Sequence, residues 1–140
     1  MKNLYEVFDE LETKTKKSDK IAVLKSNESY ALKNVLKGSF DPNIQFVFDK
    51  PVKYKPSDSP AGLAYSSIHQ ELGRAYIFEK NSPKVSPNLT QQRKEHILIQ
   101  ILESLEKREA EIFHAMILKK LKVKGLTYDL VREAFPGLLP

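Results

Sequence analysis

The sequence predicts an all-α protein, a single domain over residues 1–140 with about six or seven helices and one extended, proline-bounded segment. Apolar residues recur at three-to-four spacing on both sides of residues 41–60, the pattern of amphipathic helices that share a core. Within 41–60 that period stops, because Pro42, Pro51, Pro56 and Pro60 each remove a backbone donor and disfavour helix. A chain of 140 residues with 41% hydrophobic content buries roughly two thirds of its unfolded surface in one core, leaving no material for a second.

Leu4, Val7, Phe8 and Leu11 form the apolar stripe of a first helix over about residues 2–13. After the polar break at Lys14 to Lys17, Ser18 is positioned to cap a second helix carrying Ile21 and Leu24. A third helix follows over about residues 28–37, with Ala31, Leu32, Val35 and Leu36 inward and Gly38 as its stop. Ile44-Gln-Phe-Val-Phe48 is short, aromatic and β-branched, which suits extended backbone, and the loop to Pro60 is expected to drape over the helices. Phe46, Phe48, Tyr54 and Tyr65 are its available anchors.

Ser67 followed by Gln70 resembles a capping box that opens a helix to about Lys80, with Ile68, Leu72, Ala75 and Tyr76 as the buried stripe. Residues 81–89, Asn-Ser-Pro-Lys-Val-Ser-Pro-Asn-Leu, read as a turn-rich internal linker. Thr90 starts a helix with a broad face of Ile97, Leu98, Ile101, Leu102 and Leu105. Another runs from about Lys107 to Leu121 through Ala110, Phe113, Met116 and Ile117, and the last begins at Thr127 and stops before Pro136.

The chain has no cysteine, so disulfides, thiolate metal sites and cysteine nucleophiles are excluded, in keeping with a reducing compartment. Acids interrupt the N-terminal stretch where a signal peptide needs an apolar run, and no segment approaches membrane-spanning length. The expectation is a soluble, cytoplasmic protein, in the host cytoplasm if a phage encodes it, with no membrane partner. Net charge is +5, which favours polyanionic partners modestly. Its distribution matters more. Residues 1–20 hold five charges of each sign, whereas residues 117–128 hold four lysines and no acid.

Those lysines, Lys119, Lys120, Lys122 and Lys124, precede Gly125, Leu126 and Thr127. A glycine just past a helix takes the left-handed conformation that ends it, and a threonine two residues on caps the next helix. The first N–H groups of that helix then face outward with partial positive charge. The seven residues form a candidate phosphate-binding corner; a solvated helix end whose cations complement the C-terminal dipole is the alternative reading.

The order of these elements resembles the N-terminal helical DNA-binding domain of ATP-dependent DNA ligases, in particular the short form in ligases of T-even-type bacteriophages. The positions that carry the resemblance are Ala22-Val-Leu24, Leu32-Lys-Asn-Val-Leu36, Ile44-Gln-Phe-Val-Phe48, Val52-Lys-Tyr-Lys-Pro56, Gly62-Leu63, Lys119-Lys-Leu-Lys-Val-Lys-Gly125 and Phe135-Pro-Gly-Leu-Leu-Pro140. They span nearly the whole chain. The closing elements also resemble a set of uncharacterised small phage proteins, which implies a stand-alone relative of the ligase domain. The Lys-x-Asp-Gly motif on which ligases form their lysine–AMP adduct is absent: Lys122-Val-Lys-Gly125 has a lysine in place of the aspartate. The phage ligases carry an acid near the corner glycine, where this chain has lysines.

The resemblance implies non-enzymatic binding of double-stranded DNA through backbone phosphates, without a cofactor. The alternative is a phage protein-interaction or adaptor module acting on a host enzyme or on a replication component such as a sliding clamp. Other chemistries have little support. His69, His96 and His114 form no metal-ligand spacing, and Glu6, Asp9, Glu10 and Glu12 sit on the polar face of the first helix. Of the tyrosines, Tyr128 beside the corner is the one placed to stack on an unpaired base, most of the others falling at stripe or anchor positions. Lys33, Lys37, Lys53, Lys55, Arg74 and Lys80 are further cations that could extend a basic surface.

Overall fold

The computed structural model describes residues 2–60 and 62–140. The fold is all-α: α1 (Leu4–Glu12), α2 (Lys17–Ser26), α3 (Tyr30–Phe40), α4 (Ile68–Glu71) continuing into a 3-10 helix (Leu72–Phe78), α5 (Gln91–Ser104), α6 (Lys107–Ile117) and α7 (Tyr128–Ala134). Among the described residues no helix is long and apolar enough to cross a membrane.

Helix α6 is the hub. It packs against α1, α3, α4, α5 and the 3-10 helix, while α2 bridges α1 to α7. Phe113, Met116 and Ile117 of α6 and Leu98, Ile101 and Leu102 of α5 are buried, so the two most apolar faces in the sequence meet each other. Truncating a side chain such as Phe113 there would cost about 3–5 kcal/mol, transfer plus cavity.

The helix starts obey local chemistry. The hydroxyls of Ser29, Ser67, Thr90 and Thr127 accept from the backbone N–H groups of Leu32, Gln70, Arg93 and Leu130 at 3.1–3.3 Å. The start of α2 departs from expectation. Lys16, not Ser18, is its N-cap and makes no side-chain cap bond, and Lys17 instead pairs with Glu133 of α7 at 2.6 Å. The helix is joined to α7 but carries no side-chain cap.

Gly38 does not stop α3. The helix runs on to Phe40 with Gly38 buried inside it, because a Cβ at this position would lie 2.7 Å from Met116 Sδ and 3.0 Å from its Cγ. The glycine permits close approach of α3 to α6 and plays no part in termination.

The segment after α3 is extended. Val47 N–H donates to the Phe78 carbonyl and Lys80 N–H to the Gln45 carbonyl, both at 2.8 Å, making one antiparallel bridge between Phe46 and Glu79. Beyond it the chain straps across α5 and α6. Val52 is buried and its N–H donates to His114 Nε2 at 3.2 Å; Lys55 N–H donates to the Glu103 carboxylate at 2.8 Å. Phe46 is buried, and Phe48 and Tyr54 pack against the core, as anchors should. Tyr65 is not an anchor: it is 98% exposed.

The region after α4 corrects a second stripe. The α-helical turn ends at Glu71 and a 3-10 helix follows, so residues three apart eclipse and Leu72, Ala75 and Phe78 align inward. Tyr76, expected inside on a 3.6 period, is left 39% exposed.

Candidate nucleic-acid interface

Helix α6 ends earlier than its apolar period suggests, at Ile117, and Lys119 takes the left-handed conformation with φ 56°. Lys119 N–H donates to the Met116 carbonyl at 3.0 Å and Lys120 N–H to the Ala115 carbonyl at 2.9 Å. These are the paired bonds of a Schellman motif, normally closed by glycine. A lysine is held there because its ammonium donates to the carbonyls of Gly38 at 2.6 Å and Asp41 at 2.9 Å, at the C-terminal end of α3. The same ammonium lies 5.9 Å from the Phe46 ring centroid. Burial lowers the Lys119 pKa below the ordinary lysine value, and the charge of Asp41 partly offsets that. The structure therefore separates Lys119 from the other lysines of the cluster. It joins two helix ends.

From Lys120 to Lys124 the chain is a non-helical ribbon in which exposure alternates: Lys120, Lys122 and Lys124 face solvent, while Leu121 and Val123 pack against the core. Extended chain advances about 3.3 Å per residue, so Lys120 and Lys122 stand about 6.6 Å apart, while Lys124 lies in the turn at the end of the segment. The ribbon is fixed at its end. Lys124 N–H donates to the Glu12 carboxylate at 2.9 Å, Leu126 N–H donates to the Val123 carbonyl at 2.9 Å, and Leu126 is buried.

Gly125 is left-handed at φ 85°, as expected, although it closes this turn and not α6. A Cβ on it would lie 2.9 Å from both Cε and Nζ of Lys20. Sequence reasoning missed Lys20, since nothing local links α2 to residue 125. The packing of α2 on α7 brings it there.

Thr127 caps α7 as anticipated, but that helix has seven residues and Asp129 in its first turn already supplies an anion to its N-terminus. Tyr128 is committed too: its hydroxyl donates to the Pro140 carbonyl, and the Arg132 guanidinium lies 5.9 Å from its ring centroid. Beneath the ribbon a cavity of about 340 Å³ is lined by Asp9, Glu12 and Glu111 as well as Arg108, Lys120 and Lys122. Arg108 grips Asp9 with two bonds of 2.7 and 2.8 Å, which hold the Asp9 carboxyl below its usual pKa. Lys120 and Lys122 therefore border two further carboxylates, Glu12 and Glu111, although among the described residues neither lysine forms an ion pair with them.

Of the other cations singled out by sequence, Lys33 pairs with Glu28 at 2.5 Å and Arg74 with Glu71 at 3.1 Å. The histidines have local partners or solvent: His69 packs against Tyr30, His114 accepts from Val52, and His96 is exposed on α5. Among the described residues no three His, Asp or Glu side chains come together as a metal site.

A family model described as a family of unknown function, DUF6433, matches residues 7–123. The chain belongs to that family. The DUF6433 match runs from Val7, within α1, through α6 to Val123 of the ribbon, and so includes Lys119, Lys120 and Lys122. No curated protein matches the chain.

Proposed function

We propose that this DUF6433 protein binds double-stranded DNA without catalysis, through backbone phosphates, with Lys120, Lys122 and Lys124 of the ribbon and Lys20 beside Gly125 as the contacting cations. The observation that carries the reading is the alternation along the ribbon. Three exposed lysines stand on a short segment held in place by Leu121, Val123, Leu126 and the Glu12 carboxylate, and among the described residues none of the three forms an ion pair. Clustered cations on a fixed support suit a densely charged polyanion, and contacts to phosphate carry no sequence information. The resemblance to the ligase DNA-binding domain supports the same reading, and a cytoplasmic protein would have access to such a partner.

Titrating the protein against intact, nicked and single-stranded DNA at low and high salt tests it. The reading requires duplex binding that weakens steeply as salt rises and varies little with sequence. Salt-insensitive binding, or none, removes it.

A protein-interaction module is the second reading, favoured by one feature. Leu63 and Tyr65 are 74% and 98% exposed, and Tyr65 lines a cavity of about 280 Å³ together with Tyr5, Gln70, Glu106 and Glu109. Exposed apolar side chains beside a cavity are a feature of docking surfaces.

A further inference from the structure

A second cavity, of about 250 Å³, opens between α3, the 3-10 helix and the bridge segment. Its apolar lining comes from Ile44, Phe46, Leu72, Ala75 and Met116. Two of the exposed large side chains of the protein, Tyr30 (49%) and Tyr76 (39%), line the same cavity. Tyr30 is backed on one side by the His69 ring, with centroids 4.9 Å apart, which leaves part of its surface open. Lys37 and Lys84 also line the cavity, with Glu79 the one acid, and among the described residues neither lysine has an ion-pair partner. Asn34 donates its amide N–H to the Tyr30 carbonyl at 2.8 Å, which leaves its side-chain oxygen free to accept.

These features select a ligand that is flat, apolar on its faces, able to hydrogen-bond at its edge, and attached to anions. An apolar peptide side chain would satisfy the walls but leave Lys37, Lys84 and Asn34 without partners. A nucleotide satisfies all of them. The volume is below that of drug-sized sites and suits one ring system. We infer that this cavity takes one unpaired nucleobase of a single-stranded nucleic acid, stacked on Tyr30 or Tyr76, with the neighbouring phosphates at Lys37 and Lys84. Stacking platforms flanked by lysines are the general means of holding single strands. The inference does not rest on the duplex reading, because it concerns other residues and a base-dependent interaction.

The test compares fluorescein-labelled oligothymidylate with an abasic strand of the same length, by anisotropy at raised salt, where phosphate contacts are weak and stacking persists. The base-bearing strand should bind more tightly, and Tyr30→Ala with Tyr76→Ala should remove roughly 5- to 150-fold of affinity per stacked base without changing abasic binding. Gly73 lines the cavity, and a Cβ there would meet nothing within 4 Å, so the backbone has room for a side chain at this position, and Gly73→Leu should produce the same loss by taking up space the base needs. Lys120→Gln/Lys122→Gln/Lys124→Gln should leave the base-dependent difference intact. Equal binding of the two strands overturns the inference, as does a base preference that survives both the tyrosine variants and Gly73→Leu. In either case the occupant is of another class, such as a peptide side chain.

Discussion

The ammonium of Lys119 donates to the carbonyl of Gly38 at 2.6 Å and so ties the C-terminal end of α6 to that of α3. Both helices end there with unpaired carbonyls, and one cation serves the α3 set while its own left-handed backbone closes α6. Lys119→Gln should therefore destabilise the fold by about 1–2 kcal/mol, the loss of charge-assisted bonds at a half-buried site. Lys119→Gly should cost less, since glycine relieves the positive φ by up to about 1 kcal/mol. Thermal melting of the two variants checks the order. Their duplex salt dependence should match wild type, in contrast to the ribbon lysines.

Gly38 and Met116 form the closest approach between α3 and α6. Gly38→Ala gains about 0.5–1 kcal/mol of helix propensity but forces a Cβ against a buried thioether, which typically costs about 1–3 kcal/mol. The net effect should be destabilising by about 1 kcal/mol. A double-mutant cycle with Met116→Ala measures the clash directly: the alanine at 38 should cost less, or become favourable, once the sulfur is gone.

Acidification should loosen the strap over α6. His114 Nε2 can accept from Val52 N–H only when unprotonated, and burial lowers its pKa below the ordinary 6.5. The unfolded chain then binds the proton more readily, so this contribution is complete above pH 6.5 and is lost as pH falls from there through the lowered folded pKa. The ring faces the Tyr54 side chain edge-on at 5.6 Å, and burial, with the Glu111 charge adding to it, raises the Tyr54 pKa. Glu109 acts with the opposite sign. Burial raises its pKa above 4.5, so it destabilises as pH rises through that window and stabilises as pH falls. Denaturant midpoints measured across pH should show His114→Gln flattening the limb below 6.5, and Glu109→Gln steepening the net loss nearer 4.5.

Gly125→Ala should cost about 1 kcal/mol through its positive φ. The same change displaces the Lys20 side chain, whose Cε and Nζ occupy the space a Cβ would need. Lys20→Ala should not rescue stability, because backbone strain and not the flexible lysine sets the cost. Chemical denaturation of the single and double variants checks this.

Several helix starts were legible in the sequence because their chemistry is local, the start of α2 excepted. Ser67, Thr90 and Thr127 cap the helices that follow them by accepting from an N–H three residues on. The ends of α3 and α6 were not. Gly38 looked like a stop because glycine commonly is one, yet its role is set by Met116 on another helix. Lys119 looked like one of four equivalent cations, yet the carbonyls that hold it belong to α3. The ribbon itself left a signal, the alternation Lys-Leu-Lys-Val-Lys over 120–124, which is period two and not helical. Tyr76 was misplaced because a 3-10 helix rotates its register by a turn of three, which composition does not announce.

The measurement that tests the account most directly is the salt dependence of duplex binding for wild type and for Lys120→Gln/Lys122→Gln/Lys124→Gln. Each phosphate contact contributes about 0.9 to the slope of log affinity against log salt, so losing all three should lower it by up to about 2.7. The loss should be the same for every duplex sequence, and the melting temperature should hold, since exposed unpaired lysines contribute little to stability. A variant that binds duplex as tightly and as salt-sensitively as wild type would show that the ribbon is not the DNA-contacting surface.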